Sequence, residues 1–281
     1  MKRAGKQMSV GIALAMVLHM TLYILSSLVL ARVSGTAALA LSLPLTAVRL
    51  GLPILLLARL FARARYDAVS PPAAPTKREL AAIGYACFFL IWLFGWLYGF
   101  FFQQENGFVM ESPLDTVLGA ILFTAFPAVL EELLVRRLIA GRIAAFNPSA
   151  AILISSLLFG LMHFSAWTFP YAFVCGLILS AVYVRTGSLP TVIAAHFCSN
   201  LLSFLLSVLD TVLKPEVMAV FFWATPLVLF LGFIPVMPRV YRVLKTPAYP
   251  RENEIAASDF LTPALVLYMA AAMAFQLIFA F

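Results

Sequence analysis

The chain has 281 residues, 63% hydrophobic and 11% charged, with a formal net charge of +7 and a mean hydropathy of +1.01. A soluble domain carries about a quarter charged residues, so this composition excludes an ordinary water-soluble globule and implies a chain that faces lipid and other membrane helices. The positive charges sit beside hydrophobic segments, the distribution expected of membrane topology and not of a nucleic-acid partner.

The basic start, Met1 to Gln7, leads into the apolar run Met8–Ala31. That run is too long for the core of a cleaved signal peptide and reads as a retained first membrane helix. Runs near 20 apolar residues predict further spans at Ala37–Phe61, Leu80–Phe102, Thr116–Ile139, Ala150–Ala166, Phe169–Val184, Leu189–Leu209, Met218–Val236 and Phe260–Phe281. The fifth and sixth are short and meet at Trp167-Thr168, and the last is softened by Thr262 and Gln276. The expectation is an all-α, polytopic integral membrane helical bundle of eight or nine transmembrane helices, forming a single membrane domain over residues 1–281.

Charges orient the bundle. With the N-terminus in the cytoplasm, Lys2, Arg3, Lys6, Arg63, Arg65, Lys77, Arg78, Arg137, Arg142, Arg185, Arg239, Arg242, Lys245 and Arg251 fall on the inner side. The outer side keeps Arg32 and Lys214 and gathers Glu105, Glu111, Asp115, Asp210 and Glu216. This is the positive-inside pattern, and it suits a bacterial plasma membrane. The proline-rich stretch Asp67–Pro75 and the basic stretch Arg239–Asp259 read as cytoplasmic loops. Cys87, Cys175 and Cys198 lie in apolar stretches without paired spacing and read as packing residues.

Against this background, charge inside the fourth span stands out: Phe126-Pro127-Ala128-Val129-Leu130-Glu131-Glu132-Leu133-Leu134-Val135-Arg136-Arg137. An ionisable side chain at bilayer depth costs at least a few kcal/mol and by default marks function. Two neighbouring carboxylates raise each other's pKa, so their burial is doubly costly, and Arg136, four residues on, relieves Glu132. Two further polar clusters follow, Phe159-Gly160-Leu161-Met162-His163 and His196-Phe197-Cys198-Ser199-Asn200. Glu131 and His163 lie sixteen residues on either side of the turn at Asn147-Pro148, roughly 24 Å along each helix. His196 and Asn200 come to a similar height from the turn at Gly187, so all four side chains are expected in one cavity. His19 reads as a hydrogen-bonded packing residue, Arg137 as a helix-end marker, and Arg49 has no assigned role.

These residues resemble a known family. Glu131-Glu132-x-x-x-Arg136, Phe159-x-x-x-His163 and His196-x-x-x-Asn200, in that order on successive membrane helices, are similar to the motifs of the CAAX-processing and bacteriocin-processing (Abi) intramembrane proteases. The resemblance covers roughly residues 116–209, the expected catalytic core. It implies that Glu131 is the general base, assisted by His163, that His196 and Asn200 form the oxyanion hole, and that Glu132, Arg136 and Phe159 support them. It also implies metal-independent catalysis on a peptide or membrane-associated protein substrate. Family members commonly carry Gly after the motif arginine, where this chain has Arg137. The alternatives are a zinc-dependent protease holding the metal on Glu131, His163 and His196, and a non-catalytic peptide-binding immunity or scaffold protein. A proton-relay transporter is the remaining option, disfavoured by the lack of matching broken helices in two halves.

Overall fold

Nearly every apolar run becomes a helix, because in lipid a backbone can satisfy its polar groups only internally. The computed structural model describes residues 2–62, 75–102, 112–245 and 256–279, and among these it contains helices and no strand. Nine helices follow in chain order: α1 (Lys2–Leu30), α2 (Gly35–Ala62), α3 (Lys77–Phe102), α4 (Pro113–Ala144), α5 (Pro148–Leu161), α6 (Thr168–Thr186), α7 (Leu189–Val212), α8 (Pro215–Lys245) and α9 (Pro263–Ile278). Seven of them are long and apolar enough to cross a membrane, with α5 and α9 shorter.

The turn chemistry is local and legible. Asn147 caps α5 by accepting the Ala150 N–H at 2.8 Å, with Pro148 in the first turn. Gly187 closes α6 in the left-handed region, φ 66°, where a side chain would be strained.

Packing centres on the α5–α6 hairpin. Around it, α3 lies against α6 and α7, α2 runs along α4, and α1 pairs with α2 and α9. The apolar stretch of α8, Pro215–Phe233, has no fully buried residue and shows its side chains outward, as a lipid-facing helix does. The α5–α6 contact is close enough to need a hydrogen side chain: a Cβ on Gly176 would meet the Ser156 Cα at 3.0 Å. Gly176→Ala is therefore expected to lower stability by about 1–3 kcal/mol, measurable as a lower thermal midpoint in detergent.

Basic helix ends gather at one end of the bundle. Arg242 at the end of α8 lies 3.5 Å from Glu79 at the start of α3, and Arg185 at the end of α6 donates to the Leu244 carbonyl at 2.6 Å. There too, Ser9 near the start of α1 bonds Thr262 at the start of α9, at 2.8 Å.

Several boundaries differ from the sequence expectation: the first helix begins at Lys2 rather than Met8, and the fourth runs on to Ala144 rather than ending at Ile139. The fifth span, expected to reach Ala166, stops at Leu161. Its end is followed by turns and by Phe164 at φ 50°, a conformation no helix continues through. Arg239, Arg242 and Lys245, expected in a loop, lie on the last turns of α8. The final helix begins at Pro263 rather than Phe260, after a short 3-10 turn at Ala257–Phe260. Arg63, Arg65, Asp67–Ala74, Glu105, Glu111, Arg251 and the middle of the expected basic loop lie outside the described residues.

Candidate active site

The site begins with an irregularity in α4. Pro127 has no N–H to give the carbonyl four residues back, and the helix widens into a π segment just before it, at Ile121–Ala125. A second π segment, Leu133–Ala140, follows the glutamates and ends with the Gly141 N–H bonding the Arg136 carbonyl, five residues back. Such widenings recur at functional sites in helices.

The two adjacent acids have different surroundings. Glu132 is fully enclosed: Arg136 Nε lies 3.0 Å from its Oε2, and His196 Nδ1 lies 2.9 Å from its Oε1. The arginine contact is close in distance but off the hydrogen-bond direction, and neither Nη finds an acceptor among the described residues. Arg136 is 0% exposed, and its guanidinium stacks over the Phe159 ring at 4.2 Å instead. A cation over a desolvated aromatic face gains about 2 kcal/mol, which compensates in part for the missing acceptors. Glu131 makes no ion pair within 4 Å among the described residues and lines the cavity.

Phe159 joins the three motifs. Besides carrying Arg136, its ring meets His163 edge-on at 5.0 Å and His196 at 6.0 Å. His163 was expected on the same helix as Phe159, but it lies in the turn beyond the end of α5. There Nδ1 is 2.7 Å from the Phe159 carbonyl. A carbonyl only accepts, so Nδ1 carries the proton and Nε2 of the neutral ring is left as an acceptor. The same turn is gripped from outside. Gln276 of α9 donates to the Leu161 carbonyl at 3.0 Å, and His19 of α1 lies 3.3 Å from the Met162 carbonyl and 3.1 Å from that of Arg49.

Glu131, His163, His196 and Asn200 line one cavity of about 230 Å³, closed on its apolar sides by Ile91, Phe123 and Leu179. Tyr171 and Ser199 also line it and have no role assigned from sequence, and Cys175, expected as a packing residue, lines it as well. They sit on the cavity face of α6 and α7, and only the hairpin geometry of those helices reveals it. Cys87 is buried as a packing residue, whereas Cys198 is exposed; Arg137 is exposed too, but α4 runs on to Ala144, so it does not stand at the helix end expected from sequence. Among the described residues, no three His, Cys, Asp or Glu side chains are grouped to hold a metal ion. The zinc set weighed from sequence, Glu131, His163 and His196, lines the cavity without forming such a group; His196 turns its Nδ1 to Glu132 and His163 turns its Nδ1 to a backbone carbonyl.

The fold and the cavity define an integral membrane protein with a buried acid–histidine–amide centre. Residues 113–202 match the family model described as type II CAAX prenyl endopeptidase Rce1-like, a likeness that agrees with the motif resemblance to the CAAX/Abi proteases. No curated protein and no solved structure matches the chain.

Proposed function

We propose that the protein is a metal-independent intramembrane endopeptidase that hydrolyses a membrane-proximal bond of a peptide or membrane-associated protein, with Glu131 as base. The observation that carries this reading is that Glu131, His163, His196 and Asn200 share one cavity, although they come from three separate stretches of chain. A water held by Glu131 and the free Nε2 of His163 loses a proton to Glu131 as its oxygen bonds to the scissile carbonyl carbon. The oxygen of that carbonyl takes the electron pair and is met by the Asn200 amide N–H and His196 Nε2–H. For His196 to donate there while Glu132 holds its Nδ1–H, the ring carries both protons, and Glu132 supplies the opposing charge. Collapse of the intermediate breaks the C–N bond, and Glu131 returns its proton to the leaving amine.

The charge pattern supports an N-terminus in the cytoplasm, and the apolar cavity walls suit aliphatic or aromatic side chains next to the cleaved bond. Asn200→Ala removes one oxyanion donor and is expected to slow turnover by about a hundredfold to a thousandfold. The measurement is a comparison of membrane proteomes from cells with and without the active protein, which identifies a processed peptide, followed by its cleavage rate with each variant. An Asn200→Ala rate within a few-fold of the native one would remove this residue from the oxyanion site.

A further inference from the structure

Arg49 is a cation in the middle of an apolar helix. It lies about midway along α2 (Gly35–Ala62), roughly 20 Å from either end, beyond the reach of a side chain that snorkels to the interface. Charge at that depth requires a partner. Its Nε is buried without a hydrogen-bond partner among the described residues, and its guanidinium faces the Tyr23 ring at 5.3 Å. The His19 imidazole lies between the Arg49 carbonyl, 3.1 Å from Nδ1, and the Met162 carbonyl beside His163, 3.3 Å from Nε2. Helix α2 packs along α4, and Arg49 lies within electrostatic range of both Glu131 and His163.

We infer that Arg49 is the positioning counter-ion of Glu131, so that each of the two adjacent acids has its own arginine: Arg136 for Glu132, from the same helix, and Arg49 for Glu131, from α2. The inference rests on Glu131 being the base. Two neighbouring carboxylates oppose each other's ionisation, and Arg136 is taken up by Glu132 and Phe159. The remaining groups around Glu131 are His19 of α1, His163 after α5, Tyr171 of α6 and His196 of α7. His196 is engaged by Glu132, His19 and His163 face backbone carbonyls, and Tyr171 carries no charge as a phenol. Arg49 is left as the permanent positive charge available to Glu131. It does not line the cavity, so it acts on substrate only through Glu131.

Dicyclohexylcarbodiimide, a hydrophobic reagent that modifies protonated carboxyls, tests this in native membranes without a substrate. Labelling of Glu131 is followed by peptide mass spectrometry across a pH series in the native protein, Arg49→Met, Arg49→Gln and Arg49→Lys, with Glu131→Gln as the blank. Both neutral variants are expected to raise the pH at which labelling falls to half by about one unit or more, and the acid limb of kcat/KM should move with it. Arg49→Lys should stay near the native midpoint. If Arg49→Met does not accumulate, Arg49→Gln gives the same reading. An unmoved midpoint in the neutral variants, whatever their abundance, overturns the counter-ion role. Cleavage that survives in Glu131→Gln overturns the assignment of the base instead, and the labelling result still decides whether Arg49 governs the charge of Glu131.

Discussion

Glu131→Gln is expected to bring proteolysis to background while the protein still inserts and folds. The substitution keeps the shape of the side chain and removes its basicity, so water in the cavity has no strong base to take its proton. The fold should hold, because Glu131 makes no ion pair within 4 Å among the described residues, and the loss of its repulsion with Glu132 offsets the loss of its attraction to Arg49. General-base loss alone is worth about a hundredfold to ten-thousandfold, and on a resonance-stabilised amide that leaves no measurable turnover. The check pairs a peptide-cleavage assay with the size-exclusion profile and thermal midpoint of the purified variant. A biological activity that persists unchanged in a folded Glu131→Gln protein would assign that activity to the binding or scaffold reading.

The contrast between the adjacent acids could be stated from sequence only in part. The spacing of Glu132 and Arg136 placed them on one helix face, and the pair is there at 3.0 Å. The bond from His196 to Glu132 spans 64 positions of sequence, and no local periodicity reports such a contact. It changes the account of Glu132, which does more than anchor Arg136: it also fixes the ring orientation of a proposed oxyanion donor. Phe159 was legible as a motif residue but not as the surface that carries Arg136 and abuts both histidines, since a ring's partners depend on how three helices cross.

Span positions were readable because about 20 apolar residues cross a bilayer as a helix and little else does. Helix ends within the polar site were less so. The hydrophobic run continues past Leu161 through Met162 and Phe164, so composition gives no sign that α5 has stopped. The stop comes from tertiary partners, Gln276 and His19, which take the Leu161 and Met162 carbonyls that another helical turn would have used. The helices that supply them, α9 and α1, lie outside the segment matched by the family model. The flanking helices therefore help to hold a histidine that belongs to the matched core. The π segments of α4 were also invisible, apart from Pro127, whose missing N–H hints at the first of them.

Arg136→Ala should differ in kind from Glu131→Gln, with stability falling along with activity. Arg136 is 0% exposed and sits between the Glu132 carboxylate and the Phe159 ring. Truncation leaves Glu132 with His196 as its one remaining polar partner among the described residues and opens a cavity under Phe159. Removing one partner of a buried pair costs about 3–5 kcal/mol in soluble proteins, and in a membrane the unfolded reference state finds partners of its own, which brings the expected loss toward the lower figure. The measurement is the unfolding midpoint in detergent together with abundance in the membrane. Arg136→Lys should recover part of the stability, because an ammonium restores the charge but not the planar stack. The double variant Glu132→Ala with Arg136→Ala separates charge from packing. If the penalty is the unpaired carboxylate, removing it as well costs less than the sum of the two single losses. If the losses simply add, Arg136 contributes through its packing on Phe159 alone, and the buried ion pair is not what stabilises this part of the site.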